Sequence, residues 1–326
     1  MQINTGEMIH DLRAQALPKG SAGYKVGDFA ANHLSAVKSA LRPVLSAAGA
    51  AHAVIGDKAT DAVGRGLSKL GMPMWSSAFP LAYYPHAIET QPSELKVVYF
   101  PSCINQTMGK SKGQSTPLID KMVALMEKAG YEVIFPKNMK NLCCGTIWES
   151  KGMPDIADRK AKELDDALFE ASDGGRYPVL CDQSPCLHRM RNTIKRVKLY
   201  EPVEFIYEYL APHLRFVQTD EPVALHFTCS TRHMKLNDMF VALAGMCTTK
   251  VVVPEEVGCC GFAGDKGFTD PEVNRYALRK LRKQLEAAGV KRGFSNSRTC
   301  EIGLTVNGGV PYQSIAYLVD ECTIKK

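Results

Sequence analysis

Cysteine is absent from the first 102 residues of this 326-residue chain, although eleven cysteines follow from Cys103 onward. No apolar stretch reaches about 18 residues, so no membrane-spanning helix is expected. Basic residues exceed acidic ones only modestly, 40 against 34, and form no concentrated patch of the kind that binds nucleic acid. Residues 1–10 lack the charged and apolar regions of a secretory signal peptide. Reduced thiols at metal sites are therefore expected rather than disulfides, in the cytoplasm or at the cytoplasmic face of a membrane.

Residues 1–92 are predicted to form a helical segment followed by a linker. Helices are expected at Glu7–Leu17, Ala30–Ala51 and Asp57–Leu70, with a break or kink at Pro43. Residues 72–92 contain four prolines and are typical of an extended connector. Basic residues modestly outnumber acidic ones between residues 22 and 70, so this segment could lie on an anionic membrane surface. The alternative, which we prefer, is that these charges are the solvated face of structural helices.

The cysteine-rich part contains the unusual sequence Cys-Cys-Gly twice, beginning at Cys143 and at Cys259. Each occurrence has cysteines well upstream and downstream, and short β-type runs alternate with helical patterns around both. The two motifs are 116 positions apart, and Cys186 and Cys300 are 114 positions apart. An internal similarity of this length predicts a gene duplication rather than a solenoid of short repeats.

The alternating pattern predicts two small, mainly parallel α/β units, at residues 93–212 and 213–326. In the first unit, strands are expected at Lys96–Phe100, Tyr131–Phe135 and Tyr177–Leu180, with helices at Pro117–Ala129 and Pro154–Ala171. In the second unit, strands are expected at Val223–Phe227, Lys250–Val253 and Arg292–Phe294. Its helices are expected at Met234–Leu243 and Pro271–Ala288.

Each cysteine group follows a predicted strand. The carboxyl ends of parallel strands form one rim of a sheet, so cysteines that are distant in sequence are expected to meet there. Thiolates are soft ligands, suited to iron–sulfur clusters or to zinc. We expect Gly145 and Gly261 to allow a close backbone approach or a positive φ. The expected ligands are Cys103, Cys143, Cys144, Cys181 and Cys186 in the first unit and Cys229, Cys259, Cys260 and Cys300 in the second.

Other residues near this pattern have two interpretations. Cys247 and Cys322 lie outside it and are interpreted as small buried apolar side chains. The three histidines His188, His226 and His233 could be ligands or proton partners, although a structural role is the simpler interpretation. Five cations could stabilise a negatively charged cluster or could be surface charges, namely Lys110, Lys112, Arg232, Lys235 and Lys266.

The double pattern Cys…Cys-Cys-Gly…Cys resembles the cysteine-rich CCG domains of heterodisulfide reductases, of the iron–sulfur subunit of glycolate oxidase and of lactate-utilisation iron–sulfur proteins. The stretches Phe100-Pro101-Ser102-Cys103, Asn141-Leu142-Cys143-Cys144-Gly145 and Cys181-Asp182-Gln183-Ser184-Pro185-Cys186 are most similar to the C-terminal iron–sulfur part of FAD-dependent D-lactate dehydrogenases. Ile3-Asn4-Thr5-Gly6 resembles the sequence that follows a ferredoxin-type cluster domain in those proteins.

The sequence departs from the family pattern at two positions. A full Cys-x-x-Cys would need cysteine at Gln183 and at Ser297. Cys181 is expected to compensate in the first unit. The four thiolates in each unit still suit one ordinary [4Fe–4S] cluster, so one or two clusters are expected in the chain. Tetrahedral zinc is the alternative.

The resemblance implies an iron–sulfur electron-transfer module of a D-lactate or other 2-hydroxy-acid dehydrogenase. It would pass electrons from reduced FAD towards a quinone or cytochrome, with the FAD and ferredoxin-type domains in the same polypeptide or complex. This fragment alone is not expected to oxidise lactate. Two alternatives stay open, a thiol–disulfide or heterodisulfide reductase component and a zinc-stabilised scaffold.

Overall fold

The structure is a computed structural model that describes residues 5–69, 75–111, 114 and 116–326. The α-helices that it describes are α1 Thr5–Ala16, α2 Ala22–Asn32, α3 Leu34–Lys69, α4 Leu118–Lys128, α5 Thr146–Ser150, α6 Pro154–Ala171, α7 Ser184–Thr193, α8 Pro202–Phe205, α9 Cys229–His233, α10 Asn237–Cys247, α11 Pro271–Ala277, α12 Leu281–Ala287, α13 Arg298–Gly308 and α14 Ile315–Glu321. The strands are β1 Lys96–Phe100, β2 Glu132–Ile134, β3 Val179–Cys181, β4 Leu199–Tyr200, β5 Leu214–Phe216, β6 Val223–Leu225, β7 Val251–Val252, β8 Arg292–Phe294, β9 Tyr312–Gln313 and β10 Thr323–Lys325.

Two four-stranded parallel sheets form the framework. Their strand orders are β2-β1-β3-β4 and β7-β6-β8-β9, so the two sheets have the same topology along the chain. Strands β5 and β10 form a separate antiparallel pair. The mainly parallel α/β architecture is confirmed, while the gene duplication and the unit boundaries stay predictions.

Alternate residues of the central strands face two different cores. Val97 and Tyr99 of β1 join a core that also contains Leu225 of β6 and Phe294 of β8, so this core is shared by both sheets. Val98 and Phe100 point the other way, because successive strand side chains lie on opposite faces. Each sheet thus has an outer face of its own, and the cysteine groups are found there.

Several predicted elements coincide with the structure. Strand Lys96–Phe100, helix Pro154–Ala171 and strand Arg292–Phe294 have the predicted bounds. Helix α4 lies within the predicted helix Pro117–Ala129, and its side chains Met122, Leu125 and Met126 have no exposed surface.

Other predictions were wrong in detail. The helix predicted over Ala30–Ala51 is interrupted near His33 and continues through Pro43, whereas the non-helical residue of α3 is Gly56, with φ 79°. The single helix predicted over Pro271–Ala288 is two helices, α11 and α12. The helix predicted at Met234–Leu243 is replaced by α9 and α10.

The helical N-terminal segment packs on the first unit. The Trp148 indole N–H donates to the Gly27 carbonyl at 2.9 Å, and the Arg13 guanidinium donates to the Ser150 carbonyl at 2.7 Å. The described part of the predicted connector, residues 75–92, has no helix and only an isolated bridge from Ala82 to Met108. Residues 72–74 of that prediction lie outside the described residues. Among the residues that the structure describes, no helix combines the length and the hydrophobicity that a membrane span requires.

Candidate functional site

Four cysteines of the first unit form a line of hydrogen-bonded thiols. The Cys143 thiol donates to Cys103, with a Sγ–Sγ distance of 4.0 Å, and Cys144 lies within hydrogen-bonding reach of both Cys143 and Cys186. These thiol–thiol contacts lower the pKa of Cys103 and of Cys144 and raise the pKa of Cys143 and of Cys186. Cys143, Cys144 and Cys186 are buried and Cys103 is half-buried.

The second unit repeats this line with its own four cysteines. Cys259 lies within hydrogen-bonding reach of both Cys229 and Cys260, and the Cys260 thiol donates to Cys300 with a Sγ–Sγ distance of 3.0 Å. The contacts with Cys229 and Cys260 lower the pKa of Cys259. Cys229 and Cys259 are exposed, so the second line is more open to solvent than the first.

The fifth cysteine expected in the first unit lies beside its line but not in it. Cys181 is the last residue of β3, is fully buried, and directs its thiol to the Gln183 carbonyl at 3.9 Å. Burial raises the pKa of Cys181. Cys247 and Cys322 are buried and hydrogen-bond to each other, away from both lines.

The glycine after each cysteine pair turns the chain and brings backbone N–H groups to sulfur. Gly145 has φ 88° and Gly261 has φ 71°, which confirms the expected positive φ. A Cβ on Gly145 would lie 2.4 Å from the Ala157 carbonyl oxygen. The N–H groups of Gly145 and Gly261 donate to Cys143 Sγ at 3.5 Å and to Cys259 Sγ at 3.3 Å.

Two buried cations at the first line were not found from the sequence. Lys38 of α3 is 3% exposed, donates to Gln106 Oε1 at 2.7 Å and interacts electrostatically with Cys103 and Cys143. Burial lowers the pKa of Lys38 to about 8. Arg189 donates to the Cys144 carbonyl at 3.0 Å. Arg189 is one helical turn after Cys186 in α7, a signal that was available in the sequence.

The cations that the sequence did indicate have mixed surroundings. Arg232 interacts with Cys229 and donates to the Phe227 and Val257 carbonyls, both at 3.3 Å. Lys266 pairs with Asp270 at 3.6 Å on the surface. Lys112 lies outside the described residues.

Of the three histidines, His226 is the one buried at the second line. It directly follows β6, is 3% exposed, and interacts electrostatically with Cys259. Burial lowers the pKa of His226 to about 4. His188 and His233 face each other across the α7–α9 contact, with ring centroids 5.5 Å apart.

A buried polar seam joins the two units next to both lines. Ser184 Oγ donates to Glu201, and its backbone N–H donates to the Asn296 carbonyl at 3.0 Å. Arg298 of the second unit is 1% exposed, donates to Asn105 of the first unit at 3.0 Å and pairs with Glu301 at 2.9 Å. Helix α7, which carries Cys186, contacts α9, which begins at Cys229, so a cysteine-bearing helix of each unit meets at the seam.

The donor set fits an iron–sulfur group in its chemistry. Each line supplies four thiols, and backbone N–H groups reach the sulfurs. In the first line, the buried cations Lys38 and Arg189 interact with three of the thiols, Cys103, Cys143 and Cys144. In the described ranges, no three His, Cys, Asp or Glu side chains are arranged to hold one metal ion as they stand. The thiols contact one another in pairs, so binding any such group would require them to separate around it. The eight cysteines of the two lines, and Cys181 beside the first, remain predicted ligands.

Two consecutive α/β units with parallel sheets, each with a Cys-Cys-Gly turn and a cysteine line at its outer face, define a class of cysteine-rich α/β proteins. The CCG cysteine-rich domain pattern matches residues 97–191 and 223–305, just over half of the chain. The chain belongs to the CCG cysteine-rich domain family.

Among curated proteins, the chain is similar to lactate utilization protein A 1 of Bacillus mycoides (strain KBAB4). The two are 22% identical over 248 residues, which cover 70% of this chain and 97% of that protein. Among solved structures, an aspartate racemase homologue of Pyrococcus horikoshii OT3 is 14% identical, with a TM-score of 0.26 and coverage of 69% of this chain and 96% of that one. Picrophilus torridus aspartate racemase is 7% identical, with a TM-score of 0.30 and coverage of 72% and 96%. These TM-scores are too low to support an argument about fold or function.

Proposed function

We propose that the chain is the iron–sulfur electron-transfer module of a flavin-linked dehydrogenase for D-lactate or a related 2-hydroxy acid. The observation that carries this proposal is the pair of matching thiol lines, Cys103-Cys143-Cys144-Cys186 and Cys229-Cys259-Cys260-Cys300, in the same order in both units. A single close pair of buried cysteines has a simple packing explanation. Two equivalent lines of four are better explained as ligand sets.

An iron–sulfur cluster, when bound, supplies reversible one-electron transfer, with a potential set by charge, hydrogen bonds to sulfur and solvent exposure. The chain contributes to each of these. Lys38 and Arg189 place positive charge next to the first line. The N–H groups of Gly145 and Gly261 donate to sulfur. The first line lies under α2 and α3, whereas Cys229 and Cys259 of the second are exposed.

The proposed partners and substrate come from the resemblance and from the name of the Bacillus relative, which links that protein to lactate utilization. We propose that FAD and ferredoxin-type domains, in the same polypeptide or complex, donate the electrons and that a quinone or cytochrome accepts them. A cytoplasmic location with peripheral contact at the membrane fits that acceptor. Exposed apolar residues of the N-terminal helices, such as Val26, Phe29 and Val44, are available for this contact.

Anaerobic reconstitution of the full chain with ferrous iron and sulfide tests the module. We expect iron and sulfide to be taken up together, with broad absorbance near ~400 nm and an electron paramagnetic resonance (EPR) signal on reduction, as thiolate-ligated clusters show. Cys144→Ser and Cys260→Ser should each lower the iron content, whereas Cys247→Ser is the matched control. Stoichiometric zinc without a chromophore, or equal loss in the control, would contradict the proposal and favour the zinc scaffold or a non-specific metal site.

The exposed position and lowered pKa of Cys259 favour a second candidate, thiol–disulfide exchange. Cys259 would attack a small disulfide, and Cys229 would then close a protein disulfide with release of two thiols. The reduced protein should in that case reduce a glutathione-type disulfide in the absence of iron, and Cys229→Ser should stop the reaction at the mixed disulfide. No thiol release would exclude this candidate.

A further inference from the structure

The two units differ at one pair of equivalent positions on their central strands. In the first sheet, Phe100 of β1 pairs in register with Cys181 of β3. In the second sheet, Ala224 pairs with Gly293 and Leu225 pairs with Phe294, so the next pair in this register is His226 with Ser295. The backbone N–H of His226 donates to the Phe294 carbonyl at 2.9 Å, which continues the parallel ladder. Phenylalanine and cysteine in one unit are therefore replaced by histidine and serine in the other.

His226 lies on the face of its sheet that carries the second cysteine line. Ala224, two residues earlier, packs in the same core as Cys260 and Cys300, and alternate strand residues share a face. The equivalent Phe100 packs with Cys143 and Cys144 in the first unit. The electrostatic interaction between His226 and Cys259 agrees with this placement.

The His226 ring is held at one nitrogen and lacks a partner at the other. Nδ1 lies 3.2 Å from Ser295 Oγ, while Nε2 is buried without a hydrogen-bond partner. A buried polar atom without a partner costs about 1–3 kcal/mol, so its retention calls for an explanation. A thiolate or sulfide sulfur at the second line would provide the missing partner.

We propose that His226 is a fifth contact of the second site and donates a hydrogen bond from Nε2 to a sulfur of the group that the four cysteines hold. Ser295 Oγ–H donates to Nδ1 and thereby keeps the ring proton on Nε2. The donated bond stabilises the reduced, more negative state, because hydrogen bonds to sulfur raise the potential of iron–sulfur groups. Phe100, the equivalent residue of the first unit, cannot donate such a bond. This contact therefore raises the potential of the second site relative to that of the first. This inference rests on the proposed function.

The test uses the full chain, reconstituted anaerobically with ferrous iron and sulfide. His226→Phe copies the residue of the first unit, His226→Gln keeps an N–H donor, and His213→Phe changes an exposed histidine as the matched control. Iron per chain, EPR spectra and a redox titration followed by EPR are measured for each. We expect His226→Phe to keep the iron content and to shift the midpoint of one signal to lower potential. We expect His226→Gln to reverse part of that shift and His213→Phe to change neither signal.

A second measurement does not depend on any variant folding. Pulsed EPR of the reduced wild-type protein, labelled with ¹⁵N-histidine, should show weak nitrogen coupling in one signal only. Absence of this coupling, or unchanged midpoints in a loaded His226→Phe protein, overturns the inference and leaves the proposed function intact. A coupling strong enough for direct iron ligation also overturns the hydrogen-bond assignment. A wild-type protein that takes up no iron–sulfur group overturns both proposals.

Discussion

Gln183 donates a hydrogen bond from Nε2 to Ser297 Oγ at 3.1 Å, and both side chains are buried. These are the two positions where a complete Cys-x-x-Cys motif would place a cysteine. Gln183 Oε1 also accepts from the backbone N–H of Arg298 at 3.1 Å. The residues that replace the two cysteines thus bond to each other and hold the two units together, so the departure from the motif has a structural consequence at the seam.

Replacement of Gln183 should therefore weaken the seam. In Gln183→Leu, the Arg298 N–H loses its partner and the Ser297 hydroxyl keeps only Thr299 Oγ1, at 3.5 Å. Leaving one buried group unpaired costs about 1–3 kcal/mol. We expect a lower free energy of unfolding in anaerobic urea titrations, with little change for Gln218→Ala, an exposed glutamine. Equal stability of wild type and Gln183→Leu would show that the seam does not depend on this bond.

The framework could be predicted from local patterns. The apolar spacing of α4 and the β-type run Lys96–Phe100 specify these elements directly, because burial of one face fixes their period. The meeting of Cys103 with Cys143 follows from the rule that parallel strand ends share a rim. Helices α7 and α13, which carry Cys186 and Cys300, were not predicted.

The surroundings of the site could not be predicted, because they depend on tertiary contacts. Lys38 reaches the first line although it precedes Cys103 by more than sixty positions, and no local pattern distinguishes it from neighbouring surface lysines. The Gln183–Ser297 bond joins residues 114 positions apart. At these two positions the sequence showed only that a cysteine is missing.

Glu201 should make stability depend on pH. Its carboxylate accepts bonds from Ser184, Val203 and Asn296, yet burial prevails and raises its pKa to about 7 from 4.5, with a smaller contribution from Glu204. The folded state therefore holds a proton that the unfolded state releases between pH 4.5 and 7. Its contribution to stability is complete below pH 4.5 and declines as the pH rises to about 7.

Glu201→Gln removes this titration. From pH 5 to pH 8, the wild type should lose on the order of 2 kcal/mol more of its free energy of unfolding than this variant. The variant also loses one hydrogen-bond acceptor, which lowers its free energy of unfolding at every pH. The comparison therefore uses the change in this free energy with pH rather than its absolute value. Glu89→Gln, at an exposed position, is the control. Parallel pH profiles for wild type and Glu201→Gln would show that Glu201 does not titrate in this range.

Lys38 should raise the potential of the first site. Its buried ammonium group interacts with Cys103 and Cys143, so Lys38→Met removes a positive charge that favours an added electron. In the reconstituted protein, one EPR signal should shift to lower potential, and it should be the signal that His226→Phe leaves unchanged. Lys58→Met, at an exposed position of the same helix α3, should alter neither signal. A shift of both signals would indicate a general charge effect instead.

Gly145 and Gly130 form a matched pair for testing the turn that presents Cys143 and Cys144. Both have a positive φ, 88° and 87°, but a Cβ on Gly130 would meet no atom within 4 Å, whereas one on Gly145 would lie 2.4 Å from the Ala157 carbonyl oxygen. Gly130→Ala should cost about 1–3 kcal/mol through backbone strain alone. Gly145→Ala should cost more, because α6 must move away from the turn, and it should also reduce iron uptake. Equal losses of stability and full iron uptake in both variants would mean that the contact with α6 does not position the cysteine pair.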